Sequence, residues 1–381
     1  MTEKRIILLK SQFHKVGGLE KYAWQIAKAL AAKQYRVDIL TTGKKSVALS
    51  DEQIDFHYFD TGYGPNFMRL TQFDSYCNYW QKQYPAQIVL GLDRNTQQTH
   101  IRAGNGVHLT YLKKRKNYES FFKSLSFSIN PLHKKILEIE KTSFESPTLR
   151  KLITNSAMIK QDILNHYNVA EDKIAVLHNG VEWKNLQIPF DSWQTGKDKL
   201  TSQFRLSQDA FHFLFIGSGF DRKGLKPLLQ ALALLKDKEF YLSVLGNDKH
   251  MADYIKLVKK LRMTKKVFFF GTRCDTTNFL QMADCLVLPS FYDPFANVTL
   301  EALAMGVYVI TSKSNGAYEI LSDFNGIAIE NPSEIEELSI HLKNAMENRK
   351  TTSLAQKLRD SVKSFDFSIQ LDKFITLLET T

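Results

Sequence analysis

The stretch CLVLPSFYDPFANVTLEALAMGVYVITSKSNGAYEIL, Cys285 to Leu321, decides how this chain is read. Cys285–Pro289 is a short apolar run closed by a proline, which predicts a buried parallel strand. A polar and aromatic loop follows, Ser290 to Ala296. Asn297 is the expected N-cap of a helix over Val298–Met305, whose Leu300, Leu303 and Ala304 fall at helical spacing. Gly306 ends that helix, and Tyr308–Thr311 predicts the next strand. Asp293 and Glu301 stand eight apart across the loop-to-helix junction. The open N–H groups at the helix start, at Asn297, Val298 and Thr299, point into the same space and make a ready anion site. Glu301, one turn in, reaches the place where sugar hydroxyls would lie beside a bound phosphate.

Outward from this stretch the pattern repeats. Phe211–Ile216 predicts a strand, then comes GSGFDRKG, Gly217 to Gly224, then a helix from near Leu225. Backbone N–H groups with Arg222 and Lys223 suit a diphosphate. The loop is not GxGxxG, so a nicotinamide dinucleotide loses its usual support. Tyr241–Leu245 and Val267–Phe270 read as strands, Met251–Leu261 and Thr276–Met282 as helices. Such alternation predicts a parallel sheet with helices on both faces. The first half behaves likewise. Strands are expected at Lys4–Leu9, Val37–Leu40, Ile88–Leu92, His100–Ala103, Leu152–Asn155 and Ile174–Leu177, with helices over Leu19–Ala32 and Met158–Tyr167. Gly17 and Gly18 stand at the first strand-to-helix turn, where backbone can approach a ligand closely or simply turn tightly. Arg102, Asn105 and His108 fall in a glycine-interrupted loop past a strand end, the edge at which open α/β sheets bind ligands. Leu49–Ala86 has no strong period. Lys184–Asp209 reads as a linker with a short helix, and Ser353–Thr381 reads as helical.

A chain of 381 residues should hold two domains. At 43% hydrophobic and 24% charged it has a soluble globular composition, and no apolar run reaches the ~18 residues of a membrane helix. The apolar run near the N-terminus is too short for a signal peptide, so a cytoplasmic protein is expected. Cys77, Cys274 and Cys285 form no metal spacing and are expected to be reduced. The net charge of +11 points to an anionic partner, and no nucleic-acid motif accompanies it. Tyr111–Lys141 carries +5 of that charge, with Tyr111, Tyr118, Phe121, Phe122 and Phe127 interleaved among the cations. This pattern suits either an anionic membrane interface or a solvated helix pair with inward aromatics.

With these residues in view, the chain resembles the retaining glycosyltransferases of the two-Rossmann-domain (GT-B) type, above all family 4. PSFYDPFANVTLEALAMGVYV is similar to the family frame PSxxEPFGxxxLEAMAxGxPV, with Asp293 for the usual glutamate and Ala296 for a glycine. GSGFDRKG resembles a GSxFxRKG form in the lipopolysaccharide core glucosyltransferase branch, and HNGVEW, His178 to Trp183, resembles a PNGVD turn before the interdomain linker. The resemblance implies two Rossmann-like domains with parallel sheets facing a cleft: residues 1–182 for the acceptor and 183–360 for the nucleotide sugar. A terminal helix, 361–381, would cross back to the first domain. It implies that Gly17, Gly18 and Gly217 lie near the donor, that Arg222, Lys223 and the Asn297–Thr299 amides hold its diphosphate, and that Glu301 holds its ribose. Asp293 would take the donor sugar, Arg273 would stack on the base, and His108 would lie under the donor sugar. The implied reaction is hexose transfer, with glucose from a UDP-sugar favoured, to a lipopolysaccharide core or similar membrane glycolipid on the inner face of the inner membrane. No separate cofactor and no metal are expected. Two other classes stay open: a phosphorylase of the same architecture, for which no pyridoxal-phosphate lysine motif is visible, and a catalytically silent membrane-bound binding protein.

Overall fold

The computed structural model describes residues 4–13, 18–43, 51–116, 118–119 and 126–380, with the side chains of 18–21 outside that description. It divides into two units, Met1–Leu177 with Gln370–Thr381, and His178–Ile369.

In the first unit, β1 (Arg5–Gln12), β2 (Arg36–Thr42), β3 (Ile54–Phe59), β4 (Ile88–Gly91), β5 (His100–Arg102), β6 (Lys151–Thr154) and β7 (Ile174–Val176) form one sheet. Their order is β3-β2-β1-β4-β5-β6-β7, and every pairing is parallel. The apolar run of β1 follows from burial on both faces. Ile6 and Leu8 enter a core with Ile26 and Leu30 of the helix Gly18–Ala32. Ile7 and Leu9 enter the opposite core with Phe73 and Trp80 of the helix Asn66–Gln83. The terminal helix Phe367–Glu379 adds Phe374, Ile375 and Leu378 to the first of these cores.

The second unit holds β8 (Phe211–Ile216), β9 (Phe240–Leu245), β10 (Val267–Gly271), β11 (Cys285–Leu288), β12 (Tyr308–Ser312) and β13 (Gly326–Ile329). The order is β10-β9-β8-β11-β12-β13, again all parallel. In both sheets the strand order reverses beside the first strand, between β1 and β4 and between β8 and β11. Loops at the carboxyl ends of strands on either side of such a reversal splay apart, and ligands collect between them.

Three segments depart from the sequence reading. Leu49–Ala86, left without a period, contains β3 and the helix Asn66–Gln83. That helix buries Phe73, Asp74, Cys77 and Trp80, a narrow stripe that includes a carboxylate, while Met68 and Tyr79 lie exposed on other faces and blur the pattern. Lys184–Asp209 is not a linker. It forms the helices Gln187–Asp191 and Trp193–Phe204, whose Phe190 and Leu200 join the core of the second unit. The tail is two helices, Thr352–Asp360 and Phe367–Glu379, broken at Lys363–Phe365, where Asp366 accepts from the Ser368 N–H at 3.1 Å.

Candidate functional site

The loops after β8 and β11 flank the reversal in the second sheet. After β8 the chain makes a single helical turn, Phe220–Lys223, between Gly219 and Gly224, which have φ of 75° and 79°. At Gly224 a Cβ would lie 2.0 Å from the Pro289 carbonyl oxygen, so only glycine lets the first loop close on the second. The turn is anchored by the Phe220 N–H, which donates to Asp248 Oδ2 at 2.8 Å. It delivers two cations to one carboxylate. Arg222 Nη1 lies 2.8 Å and Lys223 Nζ 2.5 Å from Asp293 Oδ2. Arg222 Nη1 also donates to the Tyr292 carbonyl at 2.9 Å. Asp293 is itself held by backbone: its N–H donates to Ser314 O at 2.9 Å, its carbonyl accepts from Gly316 N–H at 2.8 Å, and Oδ1 accepts from Phe295 N–H at 3.2 Å.

Asp293 and Lys223 are both buried. Burial works to raise the Asp293 carboxyl, but Lys223 and then Arg222 outweigh it and hold its pKa below the ordinary carboxylate value. The residue expected to reach a sugar is thus the counterion of the two residues expected to bind a diphosphate. The anionic oxygens of a ligand entering between these loops would compete with Asp293 for the same donors.

The helix Asn297–Ala304 starts one residue earlier than its sequence suggests. Ala296, not Asn297, is the N-cap. The Ala296 N–H donates to Asn315 Oδ1 at 3.0 Å, and the Asn315 amide donates in turn to Thr311 Oγ1 at 2.8 Å. A buried asparagine from a neighbouring loop therefore organises this helix entry. Asn297 becomes the exposed first helical residue and accepts from Asn179 Nδ2 at 2.7 Å. Of the three amides expected to face an anion, that of Thr299 is turned back to the Ala296 carbonyl at 2.9 Å, while Asn297 and Val298 keep the first-turn geometry that leaves N–H groups outside the helix ladder. The hydroxyls of Ser290 and Thr299 are buried without a hydrogen-bond partner among the described residues. Glu301 is half-buried on the same helix.

Sequence reasoning missed three members of this region. His178 Nε2 lies 2.9 Å from Glu319 Oε2, with its ring 5.7 Å from that of Phe295. Asn315 is the third. The available signal was an Asn-Gly pair at 179–180 and again at 315–316, but their partners lie far away in sequence. Arg273 lies past the outer strand β10 and is forked to Asp275 at 2.8 and 2.7 Å; among the described residues it makes no contact with the Arg222–Lys223–Asp293 cluster.

In the first unit, Gly17 lies outside the described residues, and Gly18 opens the first helix. Arg102 is not a loop residue. It is buried on β5, donates to the carbonyls of Thr154 and Leu177 at 3.2 and 2.9 Å, and stands 5.8 Å over the rings of Tyr22 and Phe374. His108 opens the helix His108–Arg115, where its N–H donates to both Glu140 oxygens at 2.9 and 3.0 Å. Its Nε2 meets His133 Nδ1 at 3.0 Å. Burial, then Arg94, His133 and Arg115, push its pKa down to about 3, so it is neutral at physiological pH. In the basic segment, Lys113, Lys114 and Lys116 are exposed, but Phe127 is buried beneath Arg115 at 4.5 Å and is not available to an interface. Phe121, Phe122 and Lys123 lie outside the described residues. Among the described residues no helix is long and apolar enough to cross a membrane, and no group of three or more His, Cys, Asp or Glu could hold a metal ion.

Comparison with known proteins fits this geometry. Residues 16–183 match the family described as Glycosyltransferase Family 4, and residues 196–364 match Glycosyl transferases group 1. The chain is 26% identical over 340 residues to an uncharacterized glycosyltransferase of Methanocaldococcus jannaschii, covering 84% of this chain and 83% of that protein. It is 24% identical over 342 residues to the lipopolysaccharide glucosyltransferase WaaG of Escherichia coli, covering 87% and 86%. The WaaG crystal structure has the same fold, with a TM-score of 0.78 at 20% identity over 99% of this chain and 100% of that one. Anabaena HepE, solved in complex with UDP-glucose, superposes with a TM-score of 0.71 at 17% identity, covering 99% and 100%.

Proposed function

The chain belongs to the family 4 glycosyltransferases of the GT-B fold, and from this premise we propose that it moves glucose from UDP-glucose, with retention at the anomeric carbon, to a lipopolysaccharide core or similar membrane glycolipid. The observation that carries this reading is the Arg222–Lys223–Asp293 cluster at the strand-order reversal of the second sheet. In our reading the donor diphosphate takes over the two cations that Asp293 holds in place beforehand. Negative charge grows on the diphosphate as the glycosidic bond breaks, and preorganised cations stabilise that state more than the ground state. The Asn297 and Val298 amides add N–H donors at the positive end of the helix dipole. The unpartnered Ser290 and Thr299 hydroxyls are further polar groups in the same loops, and Glu301 takes the ribose. Asp293 acts through the cations it positions.

The acceptor half of the reading rests on the likeness to WaaG and on the exposed Lys113, Lys114 and Lys116 of the first unit, which suit an anionic inner-membrane surface facing the cytoplasm. A thermal-shift panel of UDP-, GDP- and ADP-sugars tests the donor, because a ligand that binds the native state raises Tm by mass action. UDP-glucose should give the largest shift, and glucose transfer to a deacylated lipopolysaccharide core should follow. A larger shift with GDP- or ADP-sugars would overturn the donor assignment.

A further inference from the structure

The first sheet has its own reversal, between β1 and β4, and a cavity of about 320 Å³ opens there at the carboxyl ends of the strands. Two guanidinium groups line it, Arg69 from the first turn of the helix Asn66–Gln83 and Arg94 from the loop after β4. Arg69 is fixed by Nε donating to Thr61 Oγ1 at 3.2 Å, and no carboxylate pairs with it among the described residues. Arg94 reaches Glu140 only at 3.8 Å, and its Nε is buried without a hydrogen-bond partner among the described residues. Glu140 is already engaged by the His108 N–H and by the Tyr167 hydroxyl at 3.0 Å.

One carboxylate also lines the cavity. Asp93 is spent inward: Lys10 Nζ lies 3.0 Å from Oδ2, which also accepts from the Ser11 N–H and hydroxyl at 2.8 Å each. The charge left unpaired on this lining is therefore positive, and Thr61 and Asn66 line the same cavity with neutral polar groups beside an apolar part that includes Leu70 and Leu132. Guanidinium forks match phosphate oxygens, and the neutral groups match sugar hydroxyls. The volume is at the lower end for small-molecule sites, which suits a monosaccharide unit.

We propose that this cavity binds a phosphorylated sugar, with Arg69 and Arg94 facing its phosphate. That the sugar belongs to the acceptor rests on the transferase reading above; the anion site itself does not. If so, the enzyme selects a glycan that an earlier kinase-type reaction has phosphorylated.

The test is calorimetric titration of the full-length protein, kept saturated with UDP, with a hexose 6-phosphate, the parent hexose and the corresponding hexuronate. UDP occupies the donor diphosphate site, and its own titration reports separately on the transferase reading. The hexose 6-phosphate should bind at least tenfold more tightly than the other two. Arg69→Gln and Arg94→Gln should each weaken it tenfold or more while UDP affinity stays unchanged, and Arg69→Lys should lose less than Arg69→Gln. Binding of the phosphorylated sugar no better than the hexose, or unaltered in both glutamine variants, overturns the proposal. Equal binding of the hexuronate overturns the phosphate assignment.

Discussion

At the scale of single residues, the Lys223 ammonium is the most exposed test of the donor site, because it is buried on one carboxylate and faces the loop where the diphosphate would sit. Lys223→Ala should reduce transfer by a factor on the order of 10²–10³, as loss of one donor to transition-state charge does. Steady-state kinetics on a folded variant check this, and near-normal turnover would place the chemistry elsewhere. Three buried histidines contribute to the acid stability. Burial first, then nearby cations, push His108 down to about 3 and His100 and His212 to about 4. The unfolded chain protonates them near ~6.5, so between those values it binds more protons than the folded state. Their contribution is complete above about 6.5 and is lost as pH falls. Tm should therefore drop between pH 7 and pH 5, and His108→Gln should make that drop shallower. Equal slopes for the two proteins would show that His108 is not held neutral.

At the scale of elements, the helix His108–Arg115 divides its cations by role. Arg115 is structural: it pairs with Glu119 at 3.0 Å and covers Phe127. Lys113, Lys114 and Lys116 are exposed, Lys113 with its Nζ 3.2 Å from His166 Nε2. Each lysine near an anionic membrane is worth about 1 kcal/mol, and salt screens it. Changing these three to Gln should reduce co-sedimentation with anionic vesicles by roughly two orders of magnitude at low salt, with Arg115 left in place so that the fold survives. Unchanged sedimentation would leave the helix as an ordinary solvated face. Elements also explain the misread cap. An Asn before a helix is a sound N-cap expectation, yet the Asn315 side chain reaches the Ala296 N–H first and shifts the start by one residue.

At the scale of the molecule, the first unit depends on a helix that the chain supplies last. Phe374, Ile375 and Leu378 are buried with Ile6, Leu8 and Ile39 of the first strands. Phe374→Ala should cost about 3–5 kcal/mol in that core. Hydrogen exchange should rise in β1 and β2 and stay unchanged in β8 to β12, and uniform exchange across both units would contradict this division. Contiguous patterns were sufficient for much of the architecture. Apolar runs mark β1, β8 and β11, closed by Lys10, Gly217 and Pro289 in turn, since strands covered on both faces are largely apolar. The order of the motifs alone identified the family, because it is written in consecutive residues. What only the tertiary structure decided are the pairings between distant residues. Asp293 belongs to Arg222 and Lys223, His178 to Glu319, and the helix entry at Ala296 to Asn315. None of these follows from periodicity, because a salt bridge or a cap is set by which loops the sheet order brings together. The Arg69–Arg94 cavity is of the same kind: neither arginine stands in a motif, and the reversal between β1 and β4 places both on one wall.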